Sequence, residues 1–281
     1  MVCGERVPID APVVLWTEAP FYDATSERPR FAASGPEGKR YRPGREPVTA
    51  ELAARVEREG WTRANLAEQL DLFVLHYDAC GTSQRCFRVL QDERQLSVHF
   101  LLDLDGTLYQ TLDLYDQAWH ARAANPRSIG VEIANVGAYR SFRGSPLERW
   151  FGWTEDGLEL VLPRDIGDGG LRAALDPRAR FALVRGSIQG EELVQPSFTR
   201  AQLDSLAALT ATLVRLFPRI ELVVPREADG AVRTTALSAE EASAFHGILG
   251  HYHLQTDKLD PGPAFEWERL LAAVRVGELQ P

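Results

Sequence analysis

The segment "SIGVEIAN", residues 128–135, constrains this chain more than any other. Its apolar side chains alternate, so Ile129, Val131 and Ile133 face one way while Gly130 and Glu132 face the other. Such a strand belongs to a sheet with an apolar layer on one side, and it carries Glu132 in mid-strand on the second face. "DLFVLHYD" supplies another short apolar run, and residues 72–76 are predicted to form a buried strand ending in a histidine. "SVHFLLDLDGTLYQTL" predicts a hairpin around Asp105-Gly106, a pair that tolerates positive φ. "IELVVP" is read as one more short strand.

Helical signals lie between and after these runs. "TAELAARVEREGW" places Leu52 and Val56 on one face and stops at Gly60. "TRAQLDSLAALTATLVRLF" opens on a Thr199/Gln202 capping box, spaces Leu203, Leu206, Leu209, Leu213 and Leu216 at helical intervals, and ends at Pro218. "SAEEASAFHGILG" carries a second box at Ser238/Glu241, and "WERLLAAVRV" reads as a further helix. The irregular alternation predicts a mixed α+β (α/β) fold, a central mixed β-sheet flanked by helices.

The 281 residues allow one large domain or two small ones. Residues 1–48 hold seven of the 17 prolines and little periodicity, and are predicted to be an extended N-terminal arm. The main domain is then 49–281. Within it, 137–198 is rich in Gly, Arg and aromatics (Trp150, Phe151, Trp153) and reads as a long insertion, with "RFALVRGSIQGEELVQ" as its own hairpin. The formal net charge of -9 argues against a nucleic-acid partner, which requires a basic stripe. No apolar run approaches the length of a membrane span. "MVCGERVPIDAPVVLW" shows no apolar stretch behind a basic start, so no signal peptide is read, which points to the cytoplasm. Cys3, Cys80 and Cys86 are too few for a disulfide scaffold and wrongly spaced for a zinc finger; buried free thiols are the ordinary reading.

The chemistry gathers around histidine. His76, His99, His120, His246, His251 and His253 all lie in segments able to border one site. A catalytic zinc commonly takes three protein ligands, and His76, His251 and Asp260 could supply them. His251 and Asp260 lie nine positions apart on "GHYHLQTDKLDPGPAFEW", residues 250–267, and converge only if that loop is rigid; the Pro-Gly-Pro after Asp260 stiffens it. Amide hydrolysis also needs a base and a group to steady an oxyanion, for which Glu132 and Lys258 have the chemistry. The plainer alternatives are specific. His99 and His120 can be hydrogen-bonded structural residues that line a groove at most, His246 a surface residue, and His253 could exchange roles with His251. Trp119 and Trp153 can stack on sugars or pack as core aromatics.

In order along the chain, "FVLHYDAC", "VHFLLDLDGTLYQ", "AWHA", "NPRSIGVEIAN" and "GHYHLQTDKLDPGPAFEW" resemble the zinc N-acetylmuramoyl-L-alanine amidases of the amidase-2 / peptidoglycan-recognition superfamily. The resemblance covers 72–136 and 245–270, about a third of the chain. It implies an amidase-2/PGRP-like fold for 49–281 as the catalytic domain, with the 137–198 insertion beside the active site. It implies zinc at His76, His251 and Asp260, Glu132 as acid/base and Lys258 as the transition-state lysine. It also implies peptidoglycan or a muropeptide as the partner, met by His99, Trp119, His120 and Asn135. Val98 stands where other branches have a tyrosine, which favours Glu132 as sole base. Two features depart from the family: the spacing from His251 to Asp260 is shorter than usual, and "GHYH" replaces "GHSD", which leaves the contacts behind the metal open. Cys80 and Cys86 match the spacing of a disulfide in peptidoglycan-recognition proteins, and such a bridge would imply an oxidising compartment. A binding-only module and a wall-degrading toxin or lysin are the alternatives to the amidase.

Overall fold

The computed structural model describes residues 1–32, 35–176 and 179–278. Six strands form one mixed sheet. They are β1 (Val13–Leu15), β2 (Leu72–Tyr77), β3 (Phe100–Leu102), β4 (Leu108–Gln110), β5 (Ser128–Ile133) and β6 (Gly247–Gly250), in the order β1-β4-β3-β5-β2-β6. Only the β3/β4 hairpin pairs antiparallel; the other neighbours run parallel. The predicted alternation holds. Phe73, Leu75, Ile129, Val131 and Ile133 join one apolar cluster with Leu203, Leu206, Leu209 and Leu213, which come from the predicted helix, Arg200–Leu216. The C-terminal helix, Trp267–Glu278, adds Leu270, Leu271 and Val274 to that layer. Both predicted capping boxes form.

The opposite face is covered in pieces. Leu101 packs with Tyr22, Phe87 and Tyr109, while Leu72, Val74 and Leu249 pack with Ala121 and Ala124. Between these two patches the second face stays polar, and there His76 and Glu132 emerge.

The sequence is corrected at several points. Ile220–Pro225 is not a strand: its one link to the sheet edge is the Val223 carbonyl, which accepts from Ile248 N at 2.9 Å, and Pro225 closes the run without a donor. His246 is no free surface residue, because Nδ1 lies 3.0 Å from the buried Asp71 carboxylate. Helices at Arg63–Gln69 and Ser83–Arg88 form where no periodicity signalled them.

Residues 1–48 reach into the body of the molecule. Arg45 is buried and donates to the carbonyls of Leu114 (2.8 Å), Asn125 (3.1 Å), Pro126 (3.2 Å) and Ser128 (2.9 Å). Burial lowers its guanidinium to about 9. Residues 137–198 contain two hairpins, Phe151–Thr154 with Gly157–Leu160 and Leu183–Ile188 with Glu191–Pro196, and an apolar cluster around Trp150, Phe151 and Phe181. Trp153 is 62% exposed and touches Phe142, so it is not a core aromatic. Among the described residues no helix is long and apolar enough to cross a membrane.

Candidate active site

The parallel pairing of β2 and β5 sets His76 directly opposite Glu132, so both side chains leave the sheet on the same face. His251 follows β6 at the start of a four-residue helix, His251–Leu254. Asp260 returns from the turn beyond it, and Tyr252 N donates to the Asp260 carbonyl at 3.1 Å. These elements bring three side chains together. His76 Nδ1 lies 2.8 Å from Asp260 Oδ2 and 3.1 Å from His251 Nδ1, and His251 Nδ1 lies 3.0 Å from Asp260 Oδ2.

The turn that carries Asp260 is fastened from outside. The Pro261 carbonyl accepts from Gln195 Nε2 at 3.0 Å, and Ala264 N donates to Gln195 Oε1 at 2.9 Å. Gly262 sits between them at φ +85°, where a Cβ would lie 2.2 Å from Gln195 Oε1. Gln195 belongs to the second hairpin of 137–198, so that region clamps the Pro-Gly-Pro turn.

The three ligand atoms lie within 4.8 Å of one another and all three residues are buried. Burial, with help from His251, lowers His76 to about 4, so its imidazole is neutral and has a lone pair to offer. Burial pushes the Asp260 carboxyl up, but the charge and hydrogen bonds of His251 and His76 outweigh it and hold the group well below the carboxylate range. Two imidazoles and one carboxylate, buried and convergent, form a donor set that suits zinc.

A cleft of about 420 Å³ opens onto these groups, lined also by Glu132, Lys258 and Trp119, with an adjoining lobe of about 240 Å³ beside Arg122 and Gln255. Glu132 Oε2 is buried there with no hydrogen-bond partner among the described residues. Burial first, then the nearby Asp260, Asp78 and Cys80, raise its carboxyl well above the usual range. Lys258 is about a third exposed, and its ammonium pairs only loosely with Asp257 at 3.6 Å. Its charge reaches His76 and disfavours protonation there. Cavities of about 450 Å³ (against the N-terminal arm) and 680 Å³ (beside Thr199) are also present, but among the described residues the His/Cys/Asp/Glu group that converges to hold a metal is His76, His251 and Asp260.

Other predicted site residues are placed differently. His99 is fully buried: Nδ1 accepts from Gly130 N at 3.1 Å, and Nε2 lies 3.1 Å from the Asp116 carbonyl and 2.8 Å from Arg45. It does not reach the cleft. Asn135 also points away, with Nδ2 on the Pro196 carbonyl and Oδ1 on Gly137 N. Trp119 and His120 do line the cleft. His253 does not replace His251, because its Nδ1 accepts from Gly250 N at 2.9 Å and its Nε2 donates to the Arg233 carbonyl at 2.8 Å. Cys80 and Cys86 are buried free cysteines whose side chains lie within hydrogen-bonding reach of each other.

Sequence reasoning passed over Asp78, whose Oδ1 accepts from Cys80, Gly81 and Asn135 N while Oδ2 has no partner among the described residues. Burial raises this carboxyl to about 7. The available signal was alternation, since a residue two beyond His76 shares its face. Gln255 was passed over as well, though it lies one helical turn beyond His251.

The amidase-2 family model, described as N-acetylmuramoyl-L-alanine amidase, matches residues 66–263. No curated protein matches the chain. Among solved structures, a selenomethionyl AmpD derivative is 20% identical, with 74% of this chain and 86% of that chain covered and a TM-score of 0.37. The amidase AmiD from E. coli, in complex with anhydro-N-acetylmuramic acid-L-Ala-D-gamma-Glu-L-Lys, is 17% identical, with coverages of 77% and 59% and a TM-score of 0.42. Drosophila peptidoglycan recognition protein SD is 14% identical, with 91% of each chain covered and a TM-score of 0.41.

Proposed function

The chain belongs to the N-acetylmuramoyl-L-alanine amidase family, and on that premise we propose that it hydrolyses, with zinc, the amide between N-acetylmuramic acid and L-alanine in peptidoglycan or a muropeptide. The observation that carries this reading is the buried convergence of His76, His251 and Asp260 beside Glu132, whose Oε2 has no partner among the described residues. Zinc, when bound, supplies Lewis-acid chemistry, polarising the scissile carbonyl and acidifying a water.

The chain's own groups supply the rest. His76, His251 and Asp260 would hold the ion. Glu132 Oε2 has no competing hydrogen bond, so it can take the proton from the attacking water. Once it carries that proton, the carboxyl can give it to the departing alanine nitrogen as the C–N bond breaks. Lys258, on the cleft wall beside His251 and Asp260, steadies the negative charge that develops on the carbonyl oxygen. Trp119 offers an apolar wall to the sugar or peptide.

The test compares zinc-loaded and chelator-stripped protein on intact sacculi and on soluble anhydro-muropeptides, with products identified by mass spectrometry. Zinc-dependent release of free stem peptide is expected from at least one substrate. Zinc binding without cleavage of either would replace this reading with a peptidoglycan-binding module, and failure to bind zinc would remove its basis.

A further inference from the structure

Both histidines of the group turn Nδ1 toward Asp260, which leaves two Nε2 atoms to account for. A neutral imidazole that offers the lone pair of one nitrogen carries its proton on the other. With Nδ1 facing the ion site, each Nε2–H therefore needs an acceptor.

For His76 the acceptor is visible. Its Nε2 lies 3.0 Å from His120 Nδ1, and His120 Nε2 lies 3.2 Å from Ser128 Oγ. The run has one consistent direction, with His76 donating to His120 and His120 donating to Ser128. Gly130 makes room for it, since a Cβ there would lie 2.6 Å from the His120 ring.

For His251 the partner is the side-chain amide of Gln255. The amide nitrogen lies 2.6 Å from His251 Nε2, and Gln255 Oε1 is buried with no partner among the described residues. In that orientation two donors face each other and a carbonyl oxygen is stranded. Turned so that Oε1 faces the ring, the amide accepts from Nε2–H and the stranded oxygen is satisfied. The backbone of Gln255 is fixed in place: its N–H donates to the His251 carbonyl, and its own carbonyl accepts from Gln189 Nε2 and Lys258 N, each at 3.2 Å. The neighbouring His253, two positions from His251, is already committed to Gly250 and Arg233 and cannot serve.

We propose that Gln255 is a positioning residue whose side-chain oxygen holds the Nε2 proton of His251, as His120 holds that of His76, so that both rings present Nδ1 to the metal. This rests on the zinc reading above. Neither partner touches the reacting atoms. Their work is to fix ring tautomer and orientation, the kind of support whose loss typically costs about 10–100-fold in metal affinity.

The experiment measures Zn2+ affinity by competition with a chromophoric chelator for the wild type, Gln255→Leu and Gln255→Glu, with imidazole N–H signals followed by NMR in the zinc-loaded proteins. Melting curves confirm that each variant is folded. Gln255→Leu is expected to bind about 10–100-fold more weakly and to lose the slowly exchanging His251 Nε2–H signal. Gln255→Glu keeps an acceptor and is expected to recover both. The inference is overturned if Gln255→Leu binds Zn2+ like the wild type, or if the folded Gln255→Glu fails as badly as the leucine variant. A wild type that binds no Zn2+ would sink the zinc reading and this inference together, whereas unchanged affinity in Gln255→Leu would sink this inference alone.

Discussion

His76 and Glu132 stand on neighbouring strands, whereas His251, Lys258 and Asp260 stand on a short helix and a turn. The first pair is fixed by a ladder of backbone hydrogen bonds between two strands that are buried over nearly their whole length. The second set is fixed by side chains reaching in from another region, Gln195 onto the Pro-Gly-Pro turn and Gln189 onto Gln255. The strand half is therefore held by cooperative structure that no single side chain carries. The loop half depends on a few identifiable bonds, so it is where small changes should loosen the site.

The sharpest separation of the two halves comes from Glu132→Gln. It should leave zinc affinity intact while lowering kcat by about 10²–10⁴, because general acid–base transfer is lost and the ligands are untouched. Equal loss of zinc and activity would instead make Glu132 part of the metal support. Next in size is Lys258→Met, expected to lower kcat by about 10²–10³ with zinc retained, as for removal of one oxyanion partner. An unchanged kcat would take Lys258 out of the reaction.

Gly262→Ala attacks the loop half alone. Its methyl would lie 2.2 Å from Gln195 Oε1, so that side chain must shift off the turn, and φ +85° strains any side chain; the variant should lose about 1–3 kcal/mol of stability and bind Zn2+ more weakly. Wild-type zinc affinity in that variant would show that the clamp does not matter to the site. The smallest effect concerns pH in the metal-free protein. Burial raises the Glu132 carboxyl, so it favours the fold while protonated, and that contribution fades as pH rises from the unfolded value of about 4.3 through the raised folded value. Glu132→Gln cannot lose a proton, so its stability advantage over the wild type should grow as pH rises from about 4.3 towards the raised folded value and level off beyond it, read as the difference in urea midpoints. A constant difference across that range would mean that Glu132 is not held protonated.

What could be read from sequence follows the same division. Strand alternation in 128–133 put Glu132 on the polar face, and the run ending at His76 put the histidine at the site, because period two is a local signal. The Arg200–Leu216 helix was legible from its capping box and leucine spacing. "IELVVP" misled because an apolar β-branched run looks the same whether it pairs fully or contributes one carbonyl at a sheet edge. The internal hydrogen bonds of Asn135 and His99 could not be read, because residue type does not show which partners a side chain meets. Asp78 and Gln255 were passed over because their roles depend on what lies opposite them in space. Cys80 and Cys86 are neighbours in space, as their spacing suggested.

Arg45 lies outside residues 66–263, the span that defines family membership, yet its guanidinium serves four carbonyls, among them those of Asn125 and Ser128. Asn125 in turn accepts from the backbone of His120, and Ser128 Oγ lies against the His120 ring. The contacts that support the His120 side of the cleft thus extend beyond the span that the family model matches. A fragment cut at the family boundary would lose these bonds directly behind the histidines. A transplanted cleft that is to keep these bonds has to include Arg45.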